Sequence, residues 1–204
     1  MTRTRPAEVR KEQLLKAARA VLAKKGFAQM RVSDIVEKAG MSQGSFYLHF
    51  ASKEAVIAEL FRSMINDALA MIEATHSPEQ DMETALRNTV MSYYKVCFQY
   101  RDVLESTDGG AAHGMDRQAW NEMYRPTNEF ALNLVRTWQK RGDVSPDADP
   151  NVVSWLIIDS VNGAMGRLFG HSGNRVSKDY EAYVVGWILA ALRSFQGPSK
   201  KSRS

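Results

Sequence analysis

Gly40-Met41-Ser42-Gln43-Gly44 packs more potential chemistry into five residues than any other segment of this chain. Its G-x-S-x-G spacing is that of a hydrolase nucleophile elbow, in which Ser42 would attack a carbonyl carbon. An elbow needs a strand before it and a parallel sheet around it. The residues before Gly40 are spaced for a helix instead, because Val32, Ile35, Val36 and Ala39 recur at three- and four-residue intervals. The segment then reads as a turn glycine, a serine N-cap at Ser42 and a second short helix from Gln43 to Phe50. Short helix, glycine turn, short helix over 32–50 is a helix-turn-helix.

In that arrangement Ile35, Val36, Ala39, Met41, Phe46 and Phe50 form a small core that sets a steep angle between the two helices. The second helix exposes Gln43, Ser45, Tyr47 and His49. Such a helix suits the major groove of duplex DNA, about 12 Å wide. Gln43 and Ser45 lie at its N-terminal end, where base edges are reached, and Gly44 lets the backbone approach closely. Tyr47, His49 and Lys53 suit phosphate contact, and Ser42 with the helix N–H groups adds donors.

Other chemistry is thinly represented. His49, His76, His113 and His171 are scattered without a ligand spacing, and the single cysteine, Cys97, excludes an intrachain disulfide and a multi-cysteine zinc site. Neither a metal nor a cofactor is expected. No acid–base constellation is legible, so an enzyme is not expected either. The reduced cysteine usage points to a cytoplasmic protein.

The elements around the motif are helical almost throughout. Leu14, Leu15, Ala18, Val21 and Leu22 make a stripe on a first helix that stops at Lys24-Lys25-Gly26. Ser52 caps a long helix from Lys53 towards Ala74. Further helices are expected at about 79–100, 101–107, 116–141, 150–169 and 177–196, with a kink or break at Pro126. The segment 108–114 is rich in glycine, and no strand or internal repeat is found. The longest uncharged apolar run, Ala182–Leu192, is 11 residues, whereas a membrane span needs about 18 or more. Residues 1–13 carry no apolar stretch behind a basic start, so no secretory leader is expected.

The 204 residues carry a formal charge of +4, unevenly spread. Residues 1–62 hold 12 Lys+Arg against 6 Asp+Glu, and residues 63–204 hold 15 against 17. A basic head of +6 precedes a body of −2, as expected of a polyanion-binding unit on a differently tasked one.

Residues 32–56, with Lys25-Gly26-Phe27 before them and Ser52-Lys53-Glu54 near their end, resemble the DNA-binding signature of the TetR family of transcriptional regulators. One departure is Arg31, where the family usually places a small hydroxylic N-cap. Arg31 cannot accept the capping hydrogen bond, so the first motif helix is expected to start differently, with a DNA phosphate offsetting the cation. Arg31 and Ser33 join the residues expected to face DNA.

The resemblance implies an all-α fold: an N-terminal three-helix helix-turn-helix DNA-binding domain (1–52), a C-terminal helical ligand-binding and dimerisation domain (53–197) and a disordered basic tail (198–204). It implies a homodimer whose last two helices pair with their mates through Val161, Gly163, Met165, Gly166, Phe169, Tyr183, Val184, Trp187, Ile188 and Ala191. It also implies a small-molecule effector in a pocket walled by Met64, Met91, Tyr94, Cys97, Phe98, Trp120, Met123, Tyr124, Phe130 and Trp155. The function so implied is repression at a palindromic double-stranded operator, relieved by an apolar or aromatic ligand. The rival expectation is a helical ligand-binding module without DNA function. Steeply salt-dependent duplex binding separates the two.

Overall fold

The computed structural model describes residues 4–106, 117–170 and 179–194. Among them every regular element is a helix: α1 (Thr4–Gln29), α2 (Val32–Ala39), α3 (Gln43–Tyr47), α4 (Lys53–Thr75), α5 (Met82–Gln99), α6 (Arg101–Ser106), α7 (Arg117–Arg141), α8 (Pro150–Gly170) and α9 (Tyr180–Ser194). The fold class is all-α, as the periodicity predicts. No helix among the described residues is long and apolar enough to cross a membrane. The segment 108–114 with His113, the tail 198–204, and the side chains of Trp120 and Phe169 lie outside the described residues.

The chain divides into two compact units, Met1–Asn66 with Cys97–Asn121, and Asp67–Val96 with Glu122–Ser204. The first division falls inside α4, between Asn66 and Asp67.

The first unit is built on α1. Leu14, Ala18 and Leu22 are fully buried, as are Ile35 of α2 and Phe46 of α3. α1 is interrupted at Gly26, whose left-handed backbone (φ 70°) ends the regular helix where Lys24-Lys25-Gly26 predicts a stop, before one more turn to Gln29. The middle of α1 is tied to the α5–α6 corner by Arg19. Its guanidinium forks onto Asp102 through two bonds of 2.6 Å, donates to the Gln99 carbonyl and lies 4.7 Å from the centre of the Tyr100 ring. A planar, permanently charged fork is suited to such a bidentate, stacked arrangement.

In the second unit, Leu86 and Val90 of α5, Val135 and Trp138 of α7, and Ile188 and Leu192 of α9 are buried. Polar bonds fix the helices: the Tyr93 hydroxyl donates to Asn162 at 2.6 Å, and the Tyr180 hydroxyl donates to the Ala164 carbonyl at 3.1 Å. α5 starts at Met82 rather than Glu79 because Asp81 captures the Thr84 N–H at 2.9 Å and so sets the helix end. The break expected at Pro126 is absent, since α7 runs through it. A helical proline costs about 3 kcal/mol. Met123, Ala131, Leu134, Val135 and Trp138 are buried along the same helix. Each large apolar side chain contributes about 1.5–3 kcal/mol, which outweighs the proline.

Candidate nucleic-acid interface

The helix-turn-helix forms where the sequence predicts it, and local chemistry explains each corner. α2 begins at Val32 although Arg31, its extended N-cap, has no side-chain acceptor. Asp34 supplies the acceptor instead. Its carboxylate takes the Arg31 N–H at 3.1 Å and the Lys25 ammonium at 2.7 Å. The start thus differs from a hydroxyl cap, as expected of Arg31, while the helix still begins at Val32: a carboxylate three residues on takes the N-cap N–H. α2 ends at Gly40, which is left-handed (φ 66°, ψ 35°). Gly40 N–H bonds the Glu37 carbonyl at 3.1 Å and Met41 N–H the Val36 carbonyl at 2.9 Å, the Schellman pairing. Ser42 then caps α3, its hydroxyl accepting the Ser45 N–H at 3.2 Å.

The Lys25 ammonium, more than any other neighbour, holds the Asp34 carboxyl below its ordinary value. A lowered carboxyl in the folded state stabilises the fold above its unfolded pKa near 3.8, and that contribution fades as pH falls through the folded value. Asp34→Asn is accordingly expected to lower the unfolding temperature at pH 7, by an amount that shrinks as pH falls below about 3.8. Melting curves of both proteins between pH 3 and 7 check this, and parallel curves across that range would refute the assignment.

α3 ends at Tyr47, earlier than the expected Phe50. Phe46 and Phe50 are both buried with ring centres 5.7 Å apart, and the backbone of Leu48 and His49 turns to bring Phe50 back to the core. With Phe46 inward, Ser42, Gln43, Gly44 and Tyr47 are exposed, and Ser45 and His49 are half-buried. Arg31 and Ser33 are exposed at the start of α2. Lys53, expected as a phosphate contact, already has partners inside the chain. Its ammonium donates to the carbonyls of Phe27 (3.0 Å) and Met30 (3.2 Å) and lies 4.5 Å from the centre of the Phe27 ring. It binds the end of α1 to the start of α4, with one N–H left over. Leu48 was not anticipated: it is 81% exposed beside Tyr47, a place where an apolar side chain can meet a thymine methyl group.

A family model described as bacterial regulatory proteins, tetR family, matches residues 14–60, the helices just described. The HTH-type transcriptional repressor KstR2 of Rhodococcus jostii (strain RHA1) is 30% identical over 154 residues, 74% of this chain and 76% of that protein. The chain belongs to the TetR family. It is a transcriptional regulator rather than an enzyme, and the G-x-S-x-G pattern is a capped turn. The HTH-type transcriptional regulator UidR of Escherichia coli (strain K12) is 26% identical over 191 residues, 91% of this chain and 95% of that one. The fold matches the fatty acid degradation regulator FadR from Bacillus halodurans with a TM-score of 0.76 at 21% identity, over 89% of this chain and 99% of that one.

The remaining residues of this TetR-family chain separate by burial. Of the expected pocket wall, Met64, Tyr94, Cys97 and Met123 are buried, and Tyr124 and Phe130 half-buried. Met64, Cys97 and Phe98 belong to the first unit, and Met91, Tyr94, Met123, Tyr124, Phe130 and Trp155 to the second. Met91, Phe98 and Trp155 are exposed, so these three line no interior wall of the single chain. The expected pairing residues also split. Val161, Met165, Val184 and Ile188 are buried within the subunit, Ala191 is half-buried, and Gly163, Gly166, Tyr183 and Trp187 are exposed. Val152 and Leu156, which the sequence did not single out, and Trp155 are exposed on α8 as well. Helical spacing of 152, 155, 156, 163 and 166 puts these on one side of α8, and 183, 186 and 187 on one side of α9.

Proposed function

We propose that this chain is a homodimeric, cytoplasmic repressor that holds a palindromic operator and releases it when a small apolar or aromatic effector binds its body. The assignment rests on one observation. A Gly40 turn, a Ser42 cap and a buried Phe46 hold a short helix whose outer side presents Gln43, Gly44 and Tyr47 to solvent, with Ser45 half-buried beside them. Residues 1–52 form the head in this reading, 53–197 the sensing and pairing body, and 198–204 a basic tail.

Two heads on paired subunits present two recognition helices to successive major grooves about 34 Å apart. The exposed α8–α9 face supports the pairing. Tyr94 and Met123, buried in the second unit, support an apolar effector. Effector binding shifts α4 and with it the spacing of the heads. Coupling of about 1–3 kcal/mol weakens operator binding about 5- to 150-fold.

Selection from random duplexes identifies the operator, and substitutions in α3 then test the reading. Gln43→Ala is expected to relax preference at one base pair, a loss of about 1–3 kcal/mol against the selected site. Tyr47→Ala is expected to weaken all duplexes alike. Absence of duplex binding at low salt by the wild-type chain, or a Gln43→Ala protein with unaltered base preference, would refute the reading.

A further inference from the structure

Three grooves on the described surface of the head differ in charge. One, beside Lys24 and Lys38, contains Asp34 and Glu37. A second, beside Arg31 and Ser33, also contains Asp34. The third has a volume of about 430 Å³ and joins α1 to the motif: Arg10 and Gln13 stand on one side, and Gly40, Met41, Ser42 and Ser45 on the other. No carboxylate lines it.

Of the cations lining these three grooves, Arg10 alone faces one without a carboxylate: Lys24, Lys25 and Lys38 share theirs with Asp34 and Glu37, and Arg31 shares its groove with Asp34. Lys11 pairs with Glu59, Arg19 with Asp102, Lys25 with Asp34, and Lys53 with backbone carbonyls. Arg10 is exposed and makes no ion pair or hydrogen bond with any described residue. It sits four residues before Leu14, which is fully buried, so α1 is anchored one turn away. Gln13 lies on the same side of the helix at a three-residue spacing. The groove thus offers a guanidinium fork, an amide N–H and the Ser42 O–H, with the Ser45 hydroxyl turned to the Met41 sulfur at 3.9 Å and no negative side chain to compete. That donor set matches a phosphodiester, whose two free oxygens accept the fork in parallel.

We propose that Arg10, assisted by Gln13, clamps a DNA backbone phosphate that flanks the bases faced by Gln43 and Ser45. The inference rests on α3 being the recognition helix and adds a second anchor, on α1, that carries no sequence information and fixes the register of the head. Phosphate contacts of this kind position a protein on the duplex, whereas base contacts specify the site.

The test uses the full chain with the selected operator and a scrambled duplex, titrated across a salt series. Arg10→Ala is expected to weaken both duplexes by the same factor, about 10- to 100-fold per subunit at low salt. The slope of log affinity against log salt is expected to become shallower by about 0.9 per subunit. Arg10→Lys is expected to restore the slope but only part of the affinity, because the ammonium lacks the fork. An unchanged slope in Arg10→Ala, or a changed ranking of duplex sequences, would overturn the clamp while leaving α3 as the reader. Loss of all duplex binding by the wild-type chain would overturn the α3 reading itself.

Discussion

Phe46→Ala is expected to destabilise the head and remove most of its operator affinity. The side chain is fully buried, touches Phe50 at 5.7 Å and Tyr47 edge-on at 5.4 Å, and is the single buried residue of α3. Truncating a buried phenylalanine costs about 3–5 kcal/mol, a large part of the about 5–15 kcal/mol that keeps a domain folded. A five-residue helix has no stability of its own, so without this anchor α3 is no longer held at its angle to α2. Operator affinity is expected to fall more than 100-fold, with a lower first unfolding transition in calorimetry. Tyr47→Ala, one residue on but exposed, is the contrast. It is expected to change stability by no more than about 0.5 kcal/mol while still weakening DNA binding. Equal melting of Phe46→Ala and wild type would show that α3 is held by something other than this ring.

Trp187→Glu is expected to convert the proposed dimer into folded monomers. Trp187 is 62% exposed and Tyr183 69% exposed on α9, with Trp155 at 55% on α8 and glycines 163, 166 and 186 exposed among them. Large rings beside small residues make a surface that another helix pair can approach closely, and aromatic anchors of this kind cost about 2 kcal/mol or more when lost. In a two-fold interface the change occurs twice, so the dimer constant is expected to weaken by about 4 kcal/mol, close to a thousandfold. The α9 core is spared, because Ile188 and Leu192 face inward and are almost fully buried. Sedimentation velocity at micromolar concentration reads the outcome, with circular dichroism reporting an unchanged helix content. A Trp187→Glu protein that still sediments as a dimer would place the interface elsewhere.

The local parts of the fold and site were legible because their causes lie within a few residues. The apolar spacing of Val32, Ile35, Val36 and Ala39 sets α2 to the residue, a glycine that tolerates φ 66° ends it, and a serine oxygen three residues before an N–H starts α3. Even the exposed set follows, since a helix with Phe46 inward must turn Gln43, Gly44 and Tyr47 outward. What was not legible has a common cause. Lys53 looked like a free cation because the carbonyls it binds lie 23 and 26 residues earlier in the chain. Met91, Phe98 and Trp155 looked like pocket walls because composition cannot distinguish an apolar residue facing inward from one facing out.

By itself the sequence determined the helix-turn-helix, the all-α class and the basic head, since periodicity, capping and charge act through near neighbours or through sums. Tertiary structure alone decided which apolar side of α8 and α9 stays open, which cations of the head are already neutralised, and that Arg10 shares a groove with Ser42. Those outcomes depend on how helices distant in sequence pack, and a side chain's free energy of pairing or burial is settled only when its neighbours across that gap are in place.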